Sequence, residues 1–333
     1  MIGPSGRPKR MVGSVDSVKQ LPLSGFRFRP MVLSILGKAF RLTGASLAPT
    51  TQIPLLRTLG LPAGSWLGAF WRAGLEGAEE FSEGAKSWRI WHLMGTAELR
   101  RRYVRSRLGN FWLTLSMGAT IGALGVVWSF LWNMPVAQLL PYIAVSLVGW
   151  AYISGFFIDS MSVFVSSGRY YLNQRMTFAT AIYALTWRNL ITLAHNSVII
   201  LVVMLFFGVS VRPGLVLVIP GLALCTVAGL GVAYAVALIS SRFRDVAQIV
   251  NNLMQLLFFV TPVLWKEAQI SPAHHWIVDI NPFALFLALI RAPVLNEDLP
   301  VSSWNAALLI TAGIYAVSLP LIGRYKHRII HWV

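Results

Sequence analysis

Apolar residues run almost unbroken through six stretches between Phe111 and Gly323, and the charged residues collect in the gaps. The stretches are Phe111–Trp132, Tyr142–Val163, Leu190–Phe207, Gly214–Ile239, Ile249–Trp265 and Trp304–Gly323, the fifth being the shortest. A helix rises about 1.5 Å per residue, so roughly 20 apolar residues cross a hydrocarbon core of about 30 Å. Buried helices of a soluble protein seldom recur six times at this length. The pattern therefore predicts an all-α membrane protein with six transmembrane helices. A composition of 56% hydrophobic and 12% charged residues agrees.

Between the fifth and sixth stretches the pattern changes. Asn281-Pro282 reads as a helix cap followed by a first-turn proline. Phe283 to Ile290 is then wholly apolar and stops at Arg291-Ala292-Pro293. This helix is too short to span and is expected to be re-entrant or interfacial, where it could gate an outer mouth. Asn281, Pro282 and Phe283 are the candidate gate residues.

Charge orients the bundle, because cytoplasmic loops near span ends collect Lys and Arg. Arg100, Arg101, Arg102, Arg105 and Arg107 precede the first span; Arg169, Arg175 and Arg188 lie between or beside the second and third. Arg242 and Arg244 separate the fourth and fifth, and Arg324, Lys326 and Arg328 follow the sixth. The alternate loops differ: Asn133–Pro141 has no charge, Ser210–Pro213 has only Arg212, and Lys266–Ser303 sets four carboxylates against Lys266 and Arg291. Both termini are expected inside and the segment 266–303 outside.

Residues 1–110 carry 17 Lys/Arg against 6 Asp/Glu. A cytoplasmic flank facing anionic lipid explains this better than nucleic acid, which is not expected as a partner. Residues 1–85 read as a basic arm, in part disordered, with no signal peptide expected. Glu76, Glu79, Glu80 and Glu83 fall at helical spacing within it and read as a solvated helix face. Residues 86–110 pair Trp88, Ile90, Trp91, Leu93 and Met94 with the run from Arg100 to Arg107. That suits an amphipathic helix in the cytoplasmic membrane interface, with residues 111–333 as the transmembrane domain.

Enzyme chemistry finds little support. Gly84-Ala85-Lys86-Ser87 lacks the order of a phosphate loop, so no nucleotide site is evident. His327 and His331 are spaced as a helical metal pair but have no acidic or cysteine partner nearby, and His274 and His275 are adjacent. No catalytic, metal or cofactor site is expected. Asp159 near the inner end of span two can pair with Arg188, and one carboxylate with His195 makes a thin proton relay. Cys225, the single cysteine, reads as a small apolar filler.

The polar and aromatic positions within spans carry more. Gln248, Asn252 and Gln255 form a stripe at helical spacing, with Asn251 beside it. Amides are costly in lipid, so the stripe faces protein or lines a passage. Trp150, Tyr152 and Phe156 lie deep in span two. Aromatic faces suit a glycan path and equally suit packing; of Trp150 and Tyr152, which point to different sides, Tyr152 is favoured. Gly118, Gly122 and Gly125 permit close helix approach.

From Trp88 onward the chain resembles the ABC-2 permeases that export polysaccharides, the transmembrane subunits of O-antigen, capsule and teichoic-acid exporters. Arg105-Ser106-Arg107-Leu108-Gly109-Asn110-Phe111-Trp112 is similar to the basic residues and Leu-Gly-Pro-Leu-Trp of that family, with Asn110 where proline is common. Arg242-Phe243-Arg244-Asp245-Val246 resembles its Arg-Asp loop, Thr261-Pro262 its Ser/Thr-Pro ending of span five, and Asn281-Pro282 its last gate helix. The resemblance implies short re-entrant helices between spans five and six. It implies a homodimer of this chain working with two copies of a separate ATPase, on a polyprenyl-diphosphate-linked glycan, in the inner membrane of a bacterium. Arg101, Arg102, Arg105 and Arg107 would meet the diphosphate. Arg169, Tyr170 and Arg175 on one loop, and Arg244 and Asp245 on another, would couple to the ATPase. An ABC-2 exporter of a drug or lipid shares this fold. A polyprenyl-dependent transferase would need clustered cytoplasmic carboxylates, and these loops offer only Asp245.

Overall fold

The computed structural model describes residues 66–103, 111–174, 176–210 and 212–332 of the chain. All regular elements among them are helices: α1 Trp66–Lys86, α2 Trp88–Tyr103, α3 Phe111–Leu131, α4 Val136–Ile158, α5 Val163–Gln174, α6 Phe178–Phe206, α7 Val218–Arg242, α8 Val246–Val260, α9 Trp276–Asp279, α10 Pro282–Leu295 and α11 Val301–Ile329. Short 3-10 turns at Asp159–Ser162 and Pro213–Leu217 join α4 to α5 and lead into α7. By length and apolarity α3, α4, α6, α7 and α11 can each cross a membrane. Helix α8, at 15 residues, spans about 22 Å and falls short of a full hydrocarbon core. The segment Pro272–Asp279 and α10 form a broken pair bent by 91°.

The bundle is centred on α4. Its residues Leu139 to Val148 are almost all buried, and it packs on α3, α6, α7, α8 and α10. Pro141 lies inside its second turn, so the loop before α4 is shorter than the charge-free stretch Asn133–Pro141 suggests. Helix α6 starts at Phe178, twelve residues before the apolar stretch at Leu190. Thr186, Arg188 and Asn189 interrupt the apolar run but are buried against protein, so polarity does not stop the helix.

Helix α10 likewise runs past Arg291 to Leu295, with Pro293 in its last turn. The chain ends it at Asn296, whose φ of 59° is the left-handed conformation Asn tolerates. Asn133 does the same after α3, with φ 51°.

Helix α1 lies within the stretch read as a basic arm, yet it packs on α11 and α6. Gly77 approaches the Leu319 carbonyl, and Gly323 on α11 approaches the Ala73 carbonyl so closely that neither site has room for a Cβ. Phe81 sits among the rings of Tyr183, Tyr234 and Tyr315. The acidic cluster is not uniformly solvated. Glu79 and Glu83 are exposed, but Glu80 is buried and accepts from the Ala179 N–H at 3.3 Å. Burial raises its carboxyl pKa above the ordinary value, against the hydrogen bonds from the α6 N-terminus.

Candidate functional site

At the end of the bundle where α8 meets α10 a buried arginine organises the bent hairpin. Arg291 on α10 is 4% exposed. Its Nη1 donates to the Tyr142 hydroxyl at 2.7 Å and the Pro262 carbonyl at 2.8 Å, and Nη2 pairs with Glu267 at 2.7 Å. The Glu297 carboxylate lies 3.6 Å from Nε, and the guanidinium stands 4.5 Å from the centre of the Tyr142 ring. One charge thus ties α4, the turn after α8, the outer loop and α10 together.

Asn281 adds a second tie. Its Oδ1 accepts from the Phe283 and Ala284 N–H groups, and its Nδ2 donates to Thr261 Oγ1 at 2.9 Å. The cap read from Asn281-Pro282 is present, and it joins the start of α10 to the end of α8. Phe283 is half-buried against Trp150 and Phe157, and Pro282 is exposed at the first turn.

The deep aromatics pack within the bundle. Tyr152 is 3% exposed, and its hydroxyl lies 2.6 Å from Thr226 Oγ1 on α7. Phe156 meets Tyr152 edge to face, and Trp150 packs on Phe258 and Phe283. An apolar cavity of about 320 Å³ opens beside Phe156 and Phe283, walled also by Cys225 and Gly229 on α7, Leu257 on α8 and Ile314 on α11.

The amide stripe of α8 is on the outside of the bundle. Gln248, Asn251, Asn252 and Gln255 are all exposed, and Gln248 Nε2 donates to Asn252 Oδ1 at 3.1 Å. Met254 is the one residue of α8 that is buried. Helix α3 is also largely uncovered, with only Ile121, Gly125 and Ser129 buried. Gly125 makes the close approach, to Leu140 of α4, whereas Gly122 faces open space.

At the opposite end of the bundle Arg188 holds two carboxylates, Glu98 of α2 at 2.8 Å and Asp159 at 2.9 Å. The Asp159–Arg188 pair was legible in the sequence; Glu98, ninety positions from Arg188, gave no signal there. Neither did Arg291 as an organising residue, since sequence alone reads it as a helix stop. His195 Nδ1 sits 2.8 Å from the Ile191 carbonyl of its own helix. Among the coupling residues, Arg244 and Asp245 are exposed in the turn between α7 and α8. Arg169 and Tyr170 lie on α5 and Arg102 on α2, where the description reaches the helix backbone alone. Arg101 is exposed on α2, and Arg105, Arg107 and Arg175 lie outside the described residues.

Residues 91–295 match the ABC-2 type transporter family. The chain is 21% identical over 238 residues to an O-antigen export system permease protein RfbA of Klebsiella pneumoniae, covering 69% of this chain and 90% of the relative. It is 27% identical over 217 residues to a protein of the same name from Myxococcus xanthus, covering 61% of this chain and 79% of the relative. The matched segment takes in α3 to α8, the outer hairpin with its arginine and asparagine ties, and most of α2. A bundle of membrane-crossing helices with one bent pair, matched over that length, makes this chain a multi-pass membrane permease of the ABC-2 type transporter family.

Proposed function

We propose that the chain is the permease subunit of an exporter that moves a polyprenyl-diphosphate-linked polysaccharide, of O-antigen or capsule type, across a bacterial inner membrane. Two copies form the passage and a separate ATPase drives it from the cytoplasmic side, where both termini lie. The observation that carries this is the uncovered amide stripe of α8. Four amide side chains on one short helix of a membrane bundle are not left to lipid. They require a second protein surface or water, and a second copy around an aqueous passage supplies both.

Other features fit the same reading. The cavity of about 320 Å³ has an apolar lining and suits hydrocarbon, such as a stretch of polyprenyl chain. Arg100 and Arg101 stand exposed on α2, within reach of a diphosphate at the interface. The relatives named for O-antigen export favour a glycan over a drug.

The test is made in the source organism. Deletion of the gene is expected to abolish a surface polysaccharide, and the tagged chain is expected to bring down an ATPase with a Walker motif. The chain alone is expected to hydrolyse no ATP. Unchanged surface polysaccharide in the deletion strain, with loss of a drug-resistance or lipid phenotype instead, would establish the drug or lipid exporter.

A further inference from the structure

Helices α4 and α6 face each other across a cavity of about 110 Å³ at the end of the bundle where α2 lies. Tyr152, Gly155, Asp159, Arg188, Asn189 and Asn196 line it. Three polar atoms at this cavity have no hydrogen-bond partner among the described residues: Arg188 Nε, Asn189 Nδ2 and Asn196 Oδ1. Their residues are 8%, 7% and 3% exposed. Groups of this kind are satisfied by water or ligand when the protein does not satisfy them. A phosphate or other anion is a poor occupant, because Arg188 already faces two carboxylates. At roughly 30 Å³ per molecule the space holds about three or four waters, which can both donate and accept. Water is the occupant that these groups suit.

The arginine at this cavity adds a charged tie between elements that also pack directly, α6 on α4 and α6 on α5, where Phe164 meets Phe178 edge to face. Helix α2 rides on α6: a Cβ at Gly95 would stand 2.5 Å from the Ala184 carbonyl, and Trp187 Nε1 donates to Thr96 Oγ1 at 3.1 Å. Glu98 belongs to that pair. Asp159 belongs to the 3-10 turn that ends α4 and roots α5, the helix that carries Arg169 and Tyr170. Arg188 holds one carboxylate from each side with the two arms of its guanidinium, and it keeps Nε toward the water.

We propose that Arg188 is a positioning residue for transport: it fastens the root of α5 to the α2–α6 pair, and the water behind it lets the fork open and re-form as these elements move. The proposal rests on the reading of α5 as a coupling element. Stability alone does not require such a triad, since apolar residues of similar volume often replace buried ion groups without loss. A water-backed fork between two moving parts is a reason to keep the charges.

That difference gives the test. The combined variant Glu98→Leu, Asp159→Leu, Arg188→Met removes all three charges and leaves none unpaired. At membrane levels matched to the parent, it is expected to melt at or above the parent temperature and to export at least tenfold less polysaccharide. Asn196→Leu, which fills the cavity, is expected to show the same split. Arg188→Lys keeps the charge but can reach one carboxylate at a time, and it is expected to fall between. If the combined variant does not accumulate, Arg188→Lys and Asn196→Leu decide. Parent-level export by the variants that fold overturns the proposal.

A second measurement is independent of the substrate. Spin labels on Ala97→Cys of α2 and Ser166→Cys of α5, in a Cys225→Ala background, report the link directly in the purified complex. The parent is expected to give one narrow distance without nucleotide, and the combined variant a broadened one. Identical distributions would mean that the triad positions nothing. If deletion of the gene leaves surface polysaccharide unchanged, the export reading fails, and the label distances still decide the role of Arg188.

Discussion

Arg188, Glu80 and Arg291 are buried ionisable side chains that tie separate helices together, each with a different balance of charge and burial. Asp159 had to find a partner because a lone carboxylate near a span end is costly, and Arg188 was near enough to name. Glu80 was hidden in its own pattern. It shares helical spacing with Glu76, Glu79 and Glu83, and only the packing of α1 on α6 and α7 singles it out. Its raised pKa carries a pH prediction. The folded chain holds the Glu80 proton more tightly than the unfolded chain, so the contribution to stability is complete below about pH 4.5 and is lost as pH rises through the folded value. Glu80→Gln keeps an acceptor for the Ala179 N–H and does not titrate. Melting temperatures of the two proteins should therefore diverge above about pH 4.5, with the parent falling relative to the variant. Parallel pH profiles would mean that Glu80 titrates normally. Arg291 has the opposite character, a cation whose partners Glu267 and Glu297 are 40% and 42% exposed and can return to water. Removing it takes a charged donor from the buried Tyr142 hydroxyl and Pro262 carbonyl, which keep only the hydroxyl's own bonds to the Pro262 and Trp265 carbonyls. Arg291→Met is expected to cost about 2 kcal/mol, at the level of a charged hydrogen bond lost to buried partners. Arg291→Lys should recover part of this, and a melt of Arg291→Met that coincides with the parent would show that the hairpin does not depend on it.

At the scale of elements, apolar length located the five long spans but not every end, and the fifth stretch holds a helix too short to cross by itself. The stretch beginning at Leu190 belongs to a helix that begins at Phe178, because Arg188 and Asn189 turn inward and the bundle supplies what lipid cannot. The stretch Ile249–Trp265 overruns α8, which ends at Val260 where Thr261-Pro262 turns the chain toward the outer loop. Hydropathy continues across that turn and so could not mark it. Punctuation was the more reliable signal: Asn281-Pro282 predicted a helix start, and Asn281 caps α10 with its own side chain. Because Asn281 also donates to Thr261, it bonds in both directions. Asn281→Ala is expected to lose about 1 kcal/mol as a cap and to loosen α10 from α8. Asn281→Asp keeps the cap and loses the donor to Thr261. Faster amide exchange in residues 283–286 for the alanine variant alone would mark the cap; faster exchange in both would mark the tie to α8. Parent-like exchange in both variants would leave the side chain no role in the hairpin.

For the whole molecule, the faces left bare matter more than the core. Three helices have bare faces of different character. The exposed positions of α11 from Leu308 to Val317 are Leu308, Leu309, Ala312, Gly313, Ala316 and Val317, a surface suited to lipid tails. The bare face of α3 includes Ser116 and Thr120, and that of α8 carries the amides. Lipid rewards the first face and penalises the last, since an amide without a partner in hydrocarbon is unfavourable. If two copies associate, α3 and α8 should therefore form the contact and α11 should face outward. Cysteine pairs test this when one tagged copy carries Ser116→Cys, Thr120→Cys or Ala123→Cys and a differently tagged copy carries Asn252→Cys, Gln255→Cys or Phe259→Cys, all in a Cys225→Ala background. Cross-linking in native membranes should give a species bearing both tags for at least one of these pairs. Leu309→Cys, exposed like them, should give none with a second copy. Cross-links through Leu309 and none through α8 would place lipid against the amides, and the passage would then have to lie within a single copy.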